Sequence, residues 1–277
     1  MITQGYASVS LKSFDFVNKF KLSTSINYNE PIIIFGIYNT FDYEVLKKCN
    51  SHITIFWAGK DSLRCPSSII EHIISRQNIR HITTLLPVRD KLKRMGITCE
   101  LVGFWYKNNT KFLPVKKGNK IYSYIPPRIS RRGHKIDRNY YGYDIIRSLN
   151  IKDELLICSE KSNFLDKIIF WKKPKIKITM DSWNNGIGLN TYSKCYIGLG
   201  LSQYAGGGTS IIEMGLCGIK VITNLIDAPH VIKWETKKDI INIINEEKKA
   251  IGTIDTELSE KVYNSLNSDK EWLLVKS

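Results

Sequence analysis

Ser202 to Asn224 reads SQYAGGGTSIIEMGLCGIKVITN: three consecutive glycines run into an apolar, helix-periodic segment that holds one acidic residue, Glu213. Residue types in that order fit a nucleotide. Gly206, Gly207 and Gly208 let backbone approach a diphosphate, Thr209 and Ser210 can cap a helix or donate to phosphate, and Glu213, one turn in, can accept ribose hydroxyls. A helix that starts at the glycines offers unpaired N–H groups and the positive end of its dipole to an anion. The segment is not a P-loop, since no Gly-Lys-Ser/Thr follows the glycines, and it is not the GxGxxG dinucleotide fingerprint. A glycine-rich turn also serves plain strand-to-helix packing, and the segment alone leaves both readings open.

The flanking elements decide where such a loop would sit. Cys195 to Leu201 (CYIGLGL) and Lys220 to Thr223 (KVIT) are short, apolar and bounded, the pattern of buried parallel strands. The glycines therefore follow a strand's carboxyl end, where ligands bind in open α/β sheets. The same strand-then-helix rhythm fills the first half: strands at 31–37, 53–57, 81–86 and 97–105, with helices at 43–49 and 88–95. Residues 107–119 are polar, contain Pro114 and Gly118, and read as a linker. A second set follows, with strands at 120–125, 154–158 and 176–180, helices at 141–149 and 188–194, the glycine motif, and closing helices at 237–249 and 258–272. The expected fold is α/β, with two Rossmann-like, doubly wound parallel-sheet domains facing a cleft, at 1–113 and 114–277.

A chain of 277 residues with 43% apolar content has room for two such cores. Its net charge of +15 favours anionic partners, whether phosphorylated substrates, nucleic acid or an acidic membrane surface. The basic residues are diffuse apart from 128–138 and 172–177. Six scattered cysteines without a CxxC pair read as reduced core residues, and five histidines offer no paired ligand spacing, so no metal site is expected. The longest apolar run, Pro31 to Tyr38, falls far short of the ~20 residues of a spanning helix, and the amino terminus shows no signal-peptide pattern. The expectation is a soluble cytoplasmic protein, with peripheral membrane attachment as the variant its charge allows.

On the run Gly206-Gly207-Gly208-Thr209-Ser210-Ile211-Ile212-Glu213-Met214-Gly215-Leu216-Cys217-Gly218-Ile219-Lys220-Val221-Ile222-Thr223-Asn224, the second half resembles the carboxyl-terminal domain of GT-B glycosyltransferases. The first half is similar to the amino-terminal domain of short GT-B proteins, some from large DNA viruses, through FGIYNTFDYEVL at 35–46 and IFWAGKD at 55–61. The resemblance covers about residues 31–250 and implies a nucleotide-sugar donor as cosubstrate, with no other cofactor. It implies that Glu213 holds the donor ribose and that Arg131, Arg132 and Lys135, in the loop after the strand at 120–125, meet the diphosphate. Gly36, Tyr38 and Thr40 would line the acceptor side, with Gly59, Lys60 and Asp61 in a neighbouring loop. Many retaining members carry a glutamate eight positions before this one; here that position is Ala205. An inverting reaction needs a general base, and Asp61 and Asp42 stand at strand ends where one would act, although aspartate there also caps helices and turns. The leading expectation is transfer of a sugar from a nucleoside-diphosphate sugar to a glycan, lipid or protein without a catalytic metal. The alternatives are a non-catalytic module on this fold that binds nucleic acid or acidic membrane, and a glycosyltransferase of DNA bases.

Overall fold

The structure, a computed structural model, describes residues 1–9, 11, 16–59, 61–62, 65–103, 113–126, 137–159, 178–182, 189–202, 208–266, 272–273 and 275. The chain forms two compact units, Met1–Tyr106 with Leu266–Ser277, and Lys107–Ser265. A single cut at residue 113 assigns 266–277 to the second half, whereas the chain returns these residues to the first.

The first unit is built on a parallel sheet in the order β1 (Gln4–Ala7), β2 (Ile32–Phe35), β3 (Ile53–Trp57), β4 (Ile79–Thr83) and β5 (Glu100–Leu101). Every residue of β2 and β3 is buried, which is why both read as nearly continuous apolar runs: a parallel sheet is covered on both faces. On one face Ile33, Phe35, Phe56 and Ile82 form a core with Phe16, Phe20 and Trp272. Phe16 stacks on Phe35 at 4.9 Å between centroids, and Trp272 lies 4.7 Å from Phe56. Alternation turns Ile32, Ile34, Ile55 and Trp57 to the other face. The helices Thr40–Lys48, Ser67–Ile74 and Leu86–Arg94 bury Val45, Leu46, Ile69, Ile70, Ile73, Val88 and Leu92. The returning chain is fixed by hydrogen bonds as well, from Trp272 Nε1 to the Gly103 carbonyl at 3.1 Å and from Ile2 N to the Leu273 carbonyl at 2.9 Å.

The second unit holds a six-stranded parallel sheet made of β6 (Lys120–Tyr124), β7 (Leu155–Ser159), β8 (Ile178–Ser182), β9 (Cys195–Leu199), β10 (Lys220–Ile222) and β11 (Val231–Ile232). The strands lie in the order β11-β10-β9-β6-β7-β8. The chain winds outward from β6 to β8, comes back to pair β9 with the other side of β6, and winds outward again. The β6–β9 junction is therefore the switch point of a doubly wound sheet, outside which ligands bind. Ile121, Leu155, Ile157, Ile197, Leu199 and Ile222 form its core with Ile146, Ile240 and Ile244 from the helices Tyr143–Ser148 and Lys237–Glu247. The described part of the expected linker lies against this unit: Val115 N donates to the Cys217 carbonyl at 3.1 Å and Lys117 N to the Thr253 carbonyl at 2.9 Å. Among the described residues no helix is long and apolar enough to cross a membrane.

Candidate functional site

The helix Gly208–Leu216 follows β9 and starts beside the switch point. A pocket opens there, lined among others by Tyr122, Tyr124, Tyr141, Ser202, Ser210 and Met214. The two glycines inside the CYIGLGL strand pattern let this helix lie close to β9. A Cβ on Gly198 would stand 2.6 Å from Met214 Sδ, and one on Gly200 would stand 3.0 Å from Ile211 Cδ1. The carbonyls at the strand's end are held by hydroxyls, Leu199 O by Ser123 at 3.2 Å and Gly200 O by Thr223 at 2.7 Å. Gly142, at φ +76°, lies so close to the segment after β9 that a Cβ would meet Leu201 O at 2.6 Å. That turn sets Tyr141 against Tyr124 at 5.7 Å and 73°, making an aromatic wall.

Ser210 thus lies in the pocket, and Gly208 and Thr209 are half-buried at the start of the helix. Glu213 points to the helix face opposite solvent: it is 7% exposed and accepts a hydrogen bond from the fully buried Tyr192 hydroxyl at 2.6 Å. Tyr192 packs edge-on to Tyr122 at 5.4 Å. Burial first, and then the Tyr122 and Glu213 groups, raise the Tyr192 phenol well above its ordinary range; burial does the same for Tyr122. Both phenols stay neutral, and Tyr192 is the donor that orients the carboxylate. Gly206, Gly207, Arg131, Arg132 and Lys135 lie outside the described residues.

On the first unit the structure brings Gly36, Tyr38, Thr40, Asp42, Gly59 and Asp61 to the loops that follow β2 and β3; Lys60 lies outside the described residues. Gly36, at φ +76°, makes room for the Tyr38 ring, which would approach a Cβ there to 2.6 Å. Burial raises the Tyr38 phenol, followed by the Asp61 and Asp42 charges, which places the ring near both carboxylates. Thr40 is exposed as the first residue of its helix. Asp42 is the third residue of a capping box with Asn39 and has no exposed surface. Its oxygens accept from Tyr6 OH at 2.5 Å, Ser8 Oγ at 2.8 Å, Tyr38 N at 2.7 Å and Asn39 N at 3.0 Å. Asp61, also fully buried, organises its own loop by accepting from Ala58 N at 3.0 Å, Gly59 N at 2.8 Å and Ser62 N at 2.9 Å. Burial pushes its carboxyl up to about 6, against the opposing pull of those N–H groups.

The tyrosines that build the second unit's site, Tyr122, Tyr124, Tyr141 and Tyr192, carry no motif in the sequence. The one available signal was the alternation in KIYSY, which sends Tyr122 and Tyr124 to one face of β6. Among the described residues, no group of three or more His, Cys, Asp or Glu side chains is placed to hold a metal ion.

No family model and no curated protein sequence matches the chain. Solved structures do match it. Sucrose-phosphate synthase from Thermosynechococcus elongatus is 14% identical, over 95% of this chain and 74% of that one, at a TM-score of 0.56. The DNA-modifying enzyme beta-glucosyltransferase, solved with and without uridine diphosphoglucose, is 12% identical over 99% and 97% of the two chains, at 0.53. TarM is 14% identical over 94% and 57%, at 0.55. At these identities the shared property is the fold. It is the GT-B fold, two Rossmann-like parallel-sheet domains, as the sequence resemblance implies.

Proposed function

We propose that the protein is a glycosyltransferase that binds a nucleoside-diphosphate sugar on its second unit and passes the sugar to a hydroxyl of a glycan, lipid or protein. The observation that carries this reading is the coincidence of three features at one place: the β6–β9 switch point, the amino end of the Gly208–Leu216 helix, and a buried carboxylate, Glu213, oriented by Tyr192. The helix amino end and Ser210 face the diphosphate, whose charge grows as it leaves. Arg131, Arg132 and Lys135 supply the cations, so leaving-group stabilisation calls on no metal. Glu213 receives the ribose hydroxyls. On the first unit Asp61 is the proposed base, with a carboxyl near 6 that is basic enough to take a proton, and because it is fully buried and held by Ala58, Gly59 and Ser62 N its loop must open for an acceptor to reach it; Asp42 serves as a helix cap. Six free cysteines fit a reducing, cytoplasmic setting.

A thermal-shift panel of UDP, GDP, CMP and ADP tests the donor site, because a ligand at 100 times its Kd stabilises by about 2.7 kcal/mol. One nucleotide is expected to shift the parent and to lose its effect in Glu213→Gln, which keeps an acceptor for Tyr192. No shift with any of the four sinks the reading. DNA as the acceptor is a second reading, favoured by the net charge of +15 and by the near full-length likeness to a DNA-modifying glucosyltransferase. Affinity for duplex DNA that falls steeply with salt, together with label transfer from a nucleotide sugar to DNA, would select it.

A further inference from the structure

His230, the residue before β11, is fully buried against the helix that carries the proposed donor site. Its ring occupies a notch at Gly215, where a Cβ would stand 2.6 Å from both Cγ and Nδ1. Its Nε2 lies 2.8 Å from the Ile211 carbonyl, one turn back on the same helix. A carbonyl only accepts, so Nε2 carries the proton, and Nδ1 is left with a buried lone pair that meets no partner among the described residues. Burial keeps the ring neutral, with its pKa lowered to about 4. The residue's own carbonyl accepts from Val221 N at 2.9 Å, which ties the ring to β10.

A leucine in this place would fill the volume and orphan no polar atom. An orphaned buried acceptor is a net loss that native structures rarely carry without a return. Here the return is directional. The Nε2–H bond reads the rotation of the helix about its own axis, because it is aimed at one carbonyl, and the Gly215 notch fixes the helix's height against the ring. Ser210, Ile211 and Met214, which line the pocket, and Glu213, which meets Tyr192, are set by that rotation. Apolar packing alone specifies neither as tightly.

We infer that His230, seated in the Gly215 notch, is a positioning residue for nucleotide binding: it holds the Gly208–Leu216 helix in the rotation at which Ser210 and Glu213 meet the donor. This rests on the donor-site reading above. The test is calorimetric titration of UDP, GDP and ADP into the parent, His230→Leu, His230→Gln and Gly215→Ala at neutral pH, with the folded fraction of each set by circular dichroism. His230→Leu keeps the packing and loses the bond; His230→Gln keeps an N–H that can reach Ile211. Gly215→Ala installs the better helix former and evicts the ring. For the nucleotide the parent binds, Leu and Ala are expected to weaken affinity about tenfold or more, and Gln by less than about threefold, a tenfold change being about 1.4 kcal/mol. If the parent binds and all three variants bind equally well, His230 only fills the core, and the inference fails while the donor site stands. If the parent binds none of the three nucleotides, the donor-site reading falls and takes the inference with it.

Discussion

The substitution Trp272→Ala probes the one element that a linear reading of domains misplaces. Trp272 is 1% exposed, stacks on Phe20 at 5.4 Å and packs at a tilt against Phe56, while its indole N–H satisfies the Gly103 carbonyl. Truncating a buried tryptophan removes about 3–5 kcal/mol through lost transfer energy and the cavity left behind. Losing the indole hydrogen bond adds about 1 kcal/mol. A total of about 4–6 kcal/mol is a large share of the ~5–15 kcal/mol that holds a domain folded. Urea unfolding followed by far-ultraviolet circular dichroism is expected to show this loss in the transition of the first unit. Trp272→Phe keeps a ring against Phe20 and Phe56 and should cost about 1–2 kcal/mol, mainly the orphaned Gly103 carbonyl. A Trp272→Ala midpoint within about 1 kcal/mol of the parent would refute the place of Trp272 in the first unit's core.

The buried carboxylates and histidines set two further outcomes. Asp42→Ala strands the Tyr6 and Ser8 hydroxyls and two backbone N–H groups, and is expected to lower stability by about 3 kcal/mol or more in denaturant unfolding; an unchanged midpoint would mean that the cap does not hold this loop. His81 and His230 both have pKa values lowered to about 4 by burial, so the folded state binds fewer protons, and stability present above about pH 6.5 is lost as the pH falls towards 4, by about 3 kcal/mol per ring. Asp61 works the other way: its carboxyl is raised to about 6, so acid between pH 6 and about 4 favours the folded state by about 3 kcal/mol. Asp61→Asn should therefore lose stability with acid more steeply than the parent over that window, and parallel curves would refute the sign.

Much of the fold was legible because buried parallel strands leave an unmistakable trace. IIIF, ITIFW and CYIGL are apolar at nearly every position, since both faces of their sheets are covered. β1 left no such trace: QGYA mixes a glutamine and a glycine into four residues, and its Gln4 is buried only because its amide reaches the Asn27 and Glu30 carbonyls, a partnership set by tertiary contact. The helix Ser67–Ile74 went unseen because SSIIEHII is short and nearly all apolar on its inner turn. At the site, the glycine motif and Glu213 are local in sequence, so a motif finds them. Tyr192 lies 21 residues from the carboxylate it orients, and His230 lies 19 from the carbonyl it grips. Pairings of that kind come from the winding of the sheet, and no spacing rule encodes them.

Charge at the second unit's site separates the roles of its parts. The pocket wall consists of tyrosines, serines and apolar residues, and among the described residues that line it there is neither a cation nor an anion. Burial holds the Tyr122 phenol neutral, and the Glu213 carboxylate, which meets the Tyr192 hydroxyl beside it, is negative. Such a wall suits a nucleoside, whose base stacks and whose hydroxyls pair with a carboxylate, but it repels a diphosphate unless positive charge enters from elsewhere. The helix amino end contributes about half an elementary charge, too little to balance two phosphates. In the proposed function the remainder comes from the basic stretch at 128–138. Replacing Arg131 and Arg132 by alanine is expected to weaken UDP about tenfold for each charge-assisted hydrogen bond removed, near 1.5 kcal/mol, and to leave uridine affinity unchanged, whereas Glu213→Gln should weaken both. Equal losses for UDP and uridine in the arginine variant, read by calorimetry at fixed ionic strength, would show that the basic stretch shapes the pocket instead of charging it.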